Sequence, residues 1–117
     1  RTDYINVEMN SISTSHIAFG KEREGRTKLT DLVEKPFYVR SVVRDDRWSV
    51  TVFIPFADLE KIYGIDKSVF TSGYSFRGNF YKCGDETAEE HYGMWNDVEL
   101  DAPDYHVPEY FGKLTIE

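Results

Sequence analysis

Between two turn signals, Asp45-Asp46 and Pro55, residues Arg47 to Ile54 alternate without a break. Trp48, Val50, Val52 and Ile54 fall on one side of an extended chain, and Arg47, Ser49, Thr51 and Phe53 on the other. Period two is the period of a strand, and such a pattern leaves an apolar face that must lie on something. The preceding run, Phe37 to Arg44, is rich in β-branched and aromatic residues, so the Asp45-Asp46 turn is predicted to join two strands of a hairpin. Tyr4 to Met9 repeats the pattern, with Ile5, Val7 and Met9 opposed to Tyr4, Asn6 and Glu8. A turn at Asn10-Ser11 leads to a second strand over Ser15 to Phe19. Gly73 to Lys82 alternates again, Tyr74, Phe76 and Phe80 against Ser75, Arg77, Asn79 and Tyr81. Lys113 to Ile116 reads as a short final strand.

Helix is minor. Pro55 ends the Arg47 strand, and Ala57 to Tyr63 predicts one short helix with Leu59 and Ile62 inward and Gly64 as its C-terminal cap. Gly20 to Arg26 is a charged loop between glycines. Cys83 to Tyr110 is a long polar stretch with Pro103 and Pro108, a length uncommon for a loop without a function. Its four aromatics, Tyr92, Trp95, Tyr105 and Tyr110, argue for order. With strands dominant and no βαβ rhythm, the predicted class is all-β, a sandwich or barrel in a single domain.

Charge excludes some partners. The net charge of −7 has its Lys and Arg scattered among more numerous acids, so it offers no basic patch to exchange for counterions on nucleic acid. Anionic membrane surfaces are disfavoured likewise, and no apolar run approaches the roughly 20 residues that cross a bilayer. A neutral ligand asks for no net charge. The single cysteine, Cys83, forms no internal disulfide and excludes a cysteine-based zinc cluster. It fits a reducing compartment, and equally a secreted protein that lacks disulfides. Aromatic content is high at 15%. Packed sheets use aromatics as filling, and sugar sites use them because the C–H face of a sugar stacks on a flat ring.

Three stretches of the second half carry a resemblance. They are Asn79-Phe80-Tyr81-Lys82, Gly93-Met94-Trp95-Asn96, and Pro103-Asp104-Tyr105-His106-Val107-Pro108-Glu109-Tyr110-Phe111-Gly112-Lys113-Leu114. Together they resemble the C-terminal end of the bacterial family 9-like carbohydrate-binding proteins. Tyr4 to Asn10 resembles a middle strand of the same domain, and Trp48 to Phe56 the strand and helical turn that follow it. The resemblance implies an antiparallel β-sandwich of the jelly-roll or DOMON-like kind, spanning residues 1–117 and corresponding to a domain without its N-terminal strands. It also implies a non-catalytic module that binds an oligo- or polysaccharide, with a glycosidase as a partner and carbohydrate catabolism as the setting. The expected location is extracellular, periplasmic or on the cell surface of a bacterium. No cofactor is expected, although a structural calcium is compatible with the acid-rich loop. A sheet edge left open by absent strands favours a homodimer through strand pairing.

The candidate ligand-binding residues are Trp95, Asn96, Glu8, Arg26, Arg23, Arg77 and Tyr81. Trp95 sits in a loop flanked by Gly93 and Asn96, and it resembles the loop tryptophan that stacks on sugar in family 9 modules; otherwise it is a lid on the sandwich. Asn96 offers an amide to sugar hydroxyls or serves as a turn residue. Glu8 shares the polar strand face with Asn6 and suits two adjacent hydroxyls, or pairs with a cation. Arg23 and Arg26 in the Gly20 loop can donate parallel hydrogen bonds to a diol, or form a solvated charge run. Arg77 and Tyr81 line a sheet face or pair with acids. His106 is expected to hold the last loop by a bond to backbone rather than to ligate metal.

Competing functions leave weaker traces. No Gly-x-Ser-x-Gly elbow, phosphate loop or His-Glu-x-x-His motif is present. Cys83 beside His91 or His106 fits a strand-end packing residue better than a thiol nucleophile. A structural or interaction β-sandwich with a degenerate sugar site is the main alternative. A haem module on the same fold requires axial ligands, for which Met9 and His16 are the available pair.

Overall fold

The computed structural model describes residues 2–117. Among these residues nine strands run antiparallel in four small sheets: β1 (Tyr4–Met9), β2 (Ser15–Gly20) and β3 (Thr27–Lys28) form one, β4 (Tyr38–Val43) and β5 (Trp48–Phe53) a second. β6 (Ser75–Gly78) pairs with β9 (Gly112–Thr115), and β7 (Tyr81–Gly84) with β8 (His91–Met94). One helix, α1 (Phe56–Tyr63), follows Pro55. This is the all-β, antiparallel sandwich class predicted from the alternation, with one short helix.

Alternation decides what meets in the core. The β1–β2 register sets Val7 opposite Ile17 and Ile5 opposite Phe19, so these four share a face. Ile17 there joins Leu29, Val33 and Phe37, with Ile5, Val7, Val39, Val52 and Ile62 packed around them. The β1–β2 sheet is thereby pressed on the β4–β5 hairpin and α1, with Leu29–Phe37 filling the space between. The other face of β1 is covered too. Tyr4 is buried there against Phe111, ring centroids 5.5 Å apart and edge-on. A half-buried strand was expected; an aromatic at the head of its polar row covers that side as well.

α1 ends as its sequence predicts. Gly64 takes the left-handed conformation at φ 69°, and its N–H donates to the Glu60 carbonyl at 2.8 Å. A Cβ at that φ is strained, so Gly64→Ala is expected to cost about 1 kcal/mol. Thermal unfolding should show the midpoint lowered by a few degrees, with the native circular dichroism unchanged.

Two segments differ from the sequence reading. Gly73 to Lys82 is two strands, β6 and β7, in different sheets. Asn79 breaks it: its side-chain oxygen accepts from the Phe80 and Asn96 N–H groups, both at 2.9 Å, and its amide donates to the Asn96 carbonyl at 2.8 Å. Cys83 to Tyr110 is not one loop, because β8 folds back on β7 from within it. The acids between them hid a four-residue strand, too short to alternate visibly. Cys83 itself is exposed on β7, its Sγ 3.5 Å from Asp85 Oδ1, rather than packed at a strand end.

The sheets leave apolar surface uncovered. Tyr38 and Phe53 are cross-strand partners on the side of β4–β5 away from the core, 60% and 64% exposed. The radius of gyration is 15.1 Å, against about 13.4 Å for a compact domain of this length.

Candidate functional site

Trp95 is one of the exposed aromatics of the C-terminal half, and its surroundings explain its pose. The ladder of β7–β8 runs one rung past the strands, because the Trp95 N–H donates to the Phe80 carbonyl at 2.9 Å. Phe80 and Trp95 therefore lie side by side, rings 5.8 Å apart at 69°. Below the indole is Gly112: a Cβ placed there would sit 2.6 Å from Trp95 Cζ3. Only a glycine lets the ring settle on the β9 backbone. The indole stays 53% exposed and Phe80 61%. The two rings form an open corner on a rigid backing.

That backing is tied down by two other candidates. Arg77 donates from Nε and Nη2 to the Phe111 carbonyl at 3.1 and 2.7 Å, and from Nη2 to the Glu109 carbonyl at 3.0 Å. Asn96 donates its amide to the Tyr110 carbonyl at 2.8 Å. Three consecutive carbonyls after Pro108 are thus held by side chains, which fixes the approach to Gly112 and so the seat of Trp95.

Arg23, Arg26, Tyr81 and Glu8 gather elsewhere, around Tyr4 and His106. The Arg26 guanidinium lies 4.3 Å above the Tyr4 ring and donates to the carbonyls of Glu22, Ala18 and Tyr4 at 2.8, 2.9 and 3.2 Å. Arg23 pairs with Asp104 at 3.5 Å. Tyr81 stacks on Tyr105 with centroids 4.1 Å apart and planes at 13°. Burial raises the phenol pKa of Tyr81, against a smaller opposing effect of the Asn79 side chain, and also raises that of Tyr105. Glu8 is exposed on β1, accepts from the Asn6 amide at 2.7 Å, and is close enough to favour a charged His106.

His106 bonds a side chain: its Nδ1 is 2.7 Å from the Tyr4 hydroxyl, joining the last loop to the first strand. Burial first, then Arg23 and Arg26, hold its pKa below 6.5, against the weaker pull of Asp104 and Glu8. The Asp104 carboxyl is held below 3.8 chiefly by the His106 N–H, with Arg23 adding to it and burial opposing. Both depressed groups bind fewer protons folded than unfolded. Their stabilisation is complete above the ordinary values and falls away on acidification, first for His106 below pH 6.5 and then for Asp104 below 3.8. Urea midpoints followed against pH should decline below 6.5, and His106→Asn should flatten that first part of the decline.

Among the described residues, no three His, Cys, Asp or Glu side chains converge to hold a cation. Met9 and His16 lie on opposite faces of the β1–β2 sheet, since His16 pairs with Glu8 and Met9 with Ser15. They cannot ligate one haem iron. No described helix is long and apolar enough to cross a membrane. Phe80 and Gly112 went unrecognised from sequence. Alternation placed Phe80 on the face of Tyr74 and Phe76, whereas β6 ends at Gly78, two residues before it; an asparagine in mid-strand, a poor strand former, was the available signal.

Residues 1–116 match the family model described as carbohydrate-binding family 9. A search of curated proteins and a search of solved structures gave no match. With the match spanning all but the last residue of the 117, the chain belongs to carbohydrate-binding family 9.

Proposed function

We propose that this chain is a non-catalytic module holding a neutral oligo- or polysaccharide, with one sugar stacked on the exposed face of Trp95 beside Phe80. The observation that supports it is the indole itself. A tryptophan half in water, seated on Gly112 and walled by a second ring, is costly surface unless a ligand covers it. In this reading Asn96 and Arg77 are positioning residues, because their donors serve the backbone that seats Trp95. Arg26 packs over Tyr4 and Tyr81 on Tyr105, where they support the fold. Glu8 and Arg23 keep solvent-facing polar atoms for a glycan that extends to that side. Delivery of saccharide to a glycosidase, outside a bacterial cell, completes the proposal. A glycan array read with the wild type and with Trp95→Ala tests it: retention of one glycan class by the wild type alone is the expected result, and equal retention by a folded variant would overturn it.

The exposed Tyr38–Phe53 pair favours one second reading, an interaction sandwich that covers this face by self-association. Light scattering distinguishes it. A dimer reduced to monomer by Phe53→Ser supports that reading, and a monomer at all concentrations removes it.

A further inference from the structure

β8 has an open edge. In its ladder with β7 the Trp95 N–H bonds the Phe80 carbonyl, so Gly93 and His91 turn their backbone groups to β7 and Tyr92 and Met94 turn theirs away. Among the described residues, the N–H and C=O groups of Tyr92 and Met94 have no hydrogen-bond partner. The side chains of these two residues lie on the face opposite to Trp95 and Phe80.

The chain after the strand turns back beside that edge. The Val98 N–H donates to Met94 Sδ at 3.1 Å, and the Leu100 N–H to the Val98 carbonyl at 3.0 Å. Between strand and loop is a hollow of about 250 Å³, with Tyr92, Met94, Val98, Leu100, Pro103 and Tyr105 as its apolar walls. Tyr92, Met94 and Leu100 are exposed, and Tyr105 is braced by its stack on Tyr81. The hollow falls short of the roughly 300–1,000 Å³ of small-molecule pockets. It suits one apolar side chain of a larger partner.

Charge decides the kind of partner. Residues 85–104 carry eight acids and no Lys or Arg. That exceeds the −7 of the whole chain, so the acidity of this protein is concentrated around β8 and the rest is close to neutral. Glu89 and Glu90 precede the strand, Asp97 and Glu99 follow it, and Asp101 lines the hollow. An apolar groove inside an acidic rim attracts a cationic partner and repels an acidic one.

We infer that β8 and the 97–104 loop form a docking site for an extended protein segment in which apolar residues alternate with Lys or Arg. The segment adds to the β8 edge through the backbone of Tyr92 and Met94, the mode by which exposed sheet edges take peptides. Every second side chain then falls on the Tyr92–Met94 face, and one of them enters the hollow beside Leu100. The cations lie among the surrounding carboxylates. This site is separate from the aromatic corner of Trp95 and does not rest on the sugar reading.

The test is fluorescence anisotropy with a short labelled peptide alternating lysine and valine, compared with one alternating lysine and serine and one alternating glutamate and valine. The wild type should bind the lysine–valine peptide about 10-fold or more tighter than the lysine–serine one, and the glutamate–valine peptide not at all. Added salt should weaken the binding. Leu100→Ser should cost roughly 5- to 10-fold, the scale of a partly buried aliphatic anchor, and Asp101→Lys roughly 3-fold or more. Both variants should keep the native circular dichroism and the glycan retention of the wild type, and Trp95→Ala should keep peptide binding. Saturating peptide should slow hydrogen exchange at the Tyr92 and Met94 amides. Equal binding of the lysine–valine and lysine–serine peptides overturns the inference, as does peptide binding that leaves those two amides unprotected or survives both variants. Binding of calcium alone, lost in Asp101→Asn, with no peptide bound, overturns it in favour of a cation site. Failure of every glycan to bind overturns the sugar reading and leaves this one standing.

Discussion

Trp95→Ala is expected to lose glycan affinity by roughly 30- to 150-fold, corresponding to about 2–3 kcal/mol for a sugar face removed from water against an aromatic ring. The fold should survive, because the indole is more exposed than buried and rests on Gly112 without entering the core. Trp95→Phe should recover part of the affinity by restoring a smaller ring on the same seat. Trp48→Ala is the control: this second tryptophan lies on β5 opposite Val43, in a different sheet, and its loss should leave retention unchanged. Calorimetry and circular dichroism on the same samples separate lost contact from lost fold. Equal affinities of wild type and Trp95→Ala would remove the stacking mechanism and leave the family membership untouched.

Phe37→Ala should destabilise the domain by about 3–5 kcal/mol, the range for emptying a buried aromatic position. Phe37 is 3% exposed and joins Leu29, Ile17 and Val33, the cluster on which the first two sheets and α1 converge. Domains of this kind hold about 5–15 kcal/mol in total, so a large share of the native stability rests on this ring. Urea unfolding should show the midpoint fall sharply, while Phe53→Ala, a similar ring left in solvent, should shift it by no more than about 0.5 kcal/mol. Equal midpoints for the two variants would place the core elsewhere.

Local signals account for most of the elements. Strict alternation located β1 and β5, and the Asp45-Asp46 turn paired β4 with β5, because side-chain direction in a strand depends only on position along the chain. Pro55 and Gly64 bounded α1 through backbone geometry that is likewise local. The family, and Trp95 as a ring outside any alternating strand, were legible in the motifs between Asn79 and Leu114.

What the sequence left undecided depended on contacts between distant residues. Whether Asn79 continues a strand or breaks it is settled by Asn96, 17 residues away, whose backbone it clamps. Asn96 and Arg77, candidate sugar ligands by sequence, each direct donors to the carbonyls of 109–111. His106 finds Tyr4 across 102 residues. Phe80 becomes a wall beside Trp95 only because the ladder runs one rung past its strands. Local pattern determined which segments are strands and which faces are apolar; the partner that occupies each polar group, and hence which groups remain free for a ligand, was decided by tertiary structure alone, because a donor's availability depends on what folding brings within hydrogen-bond reach.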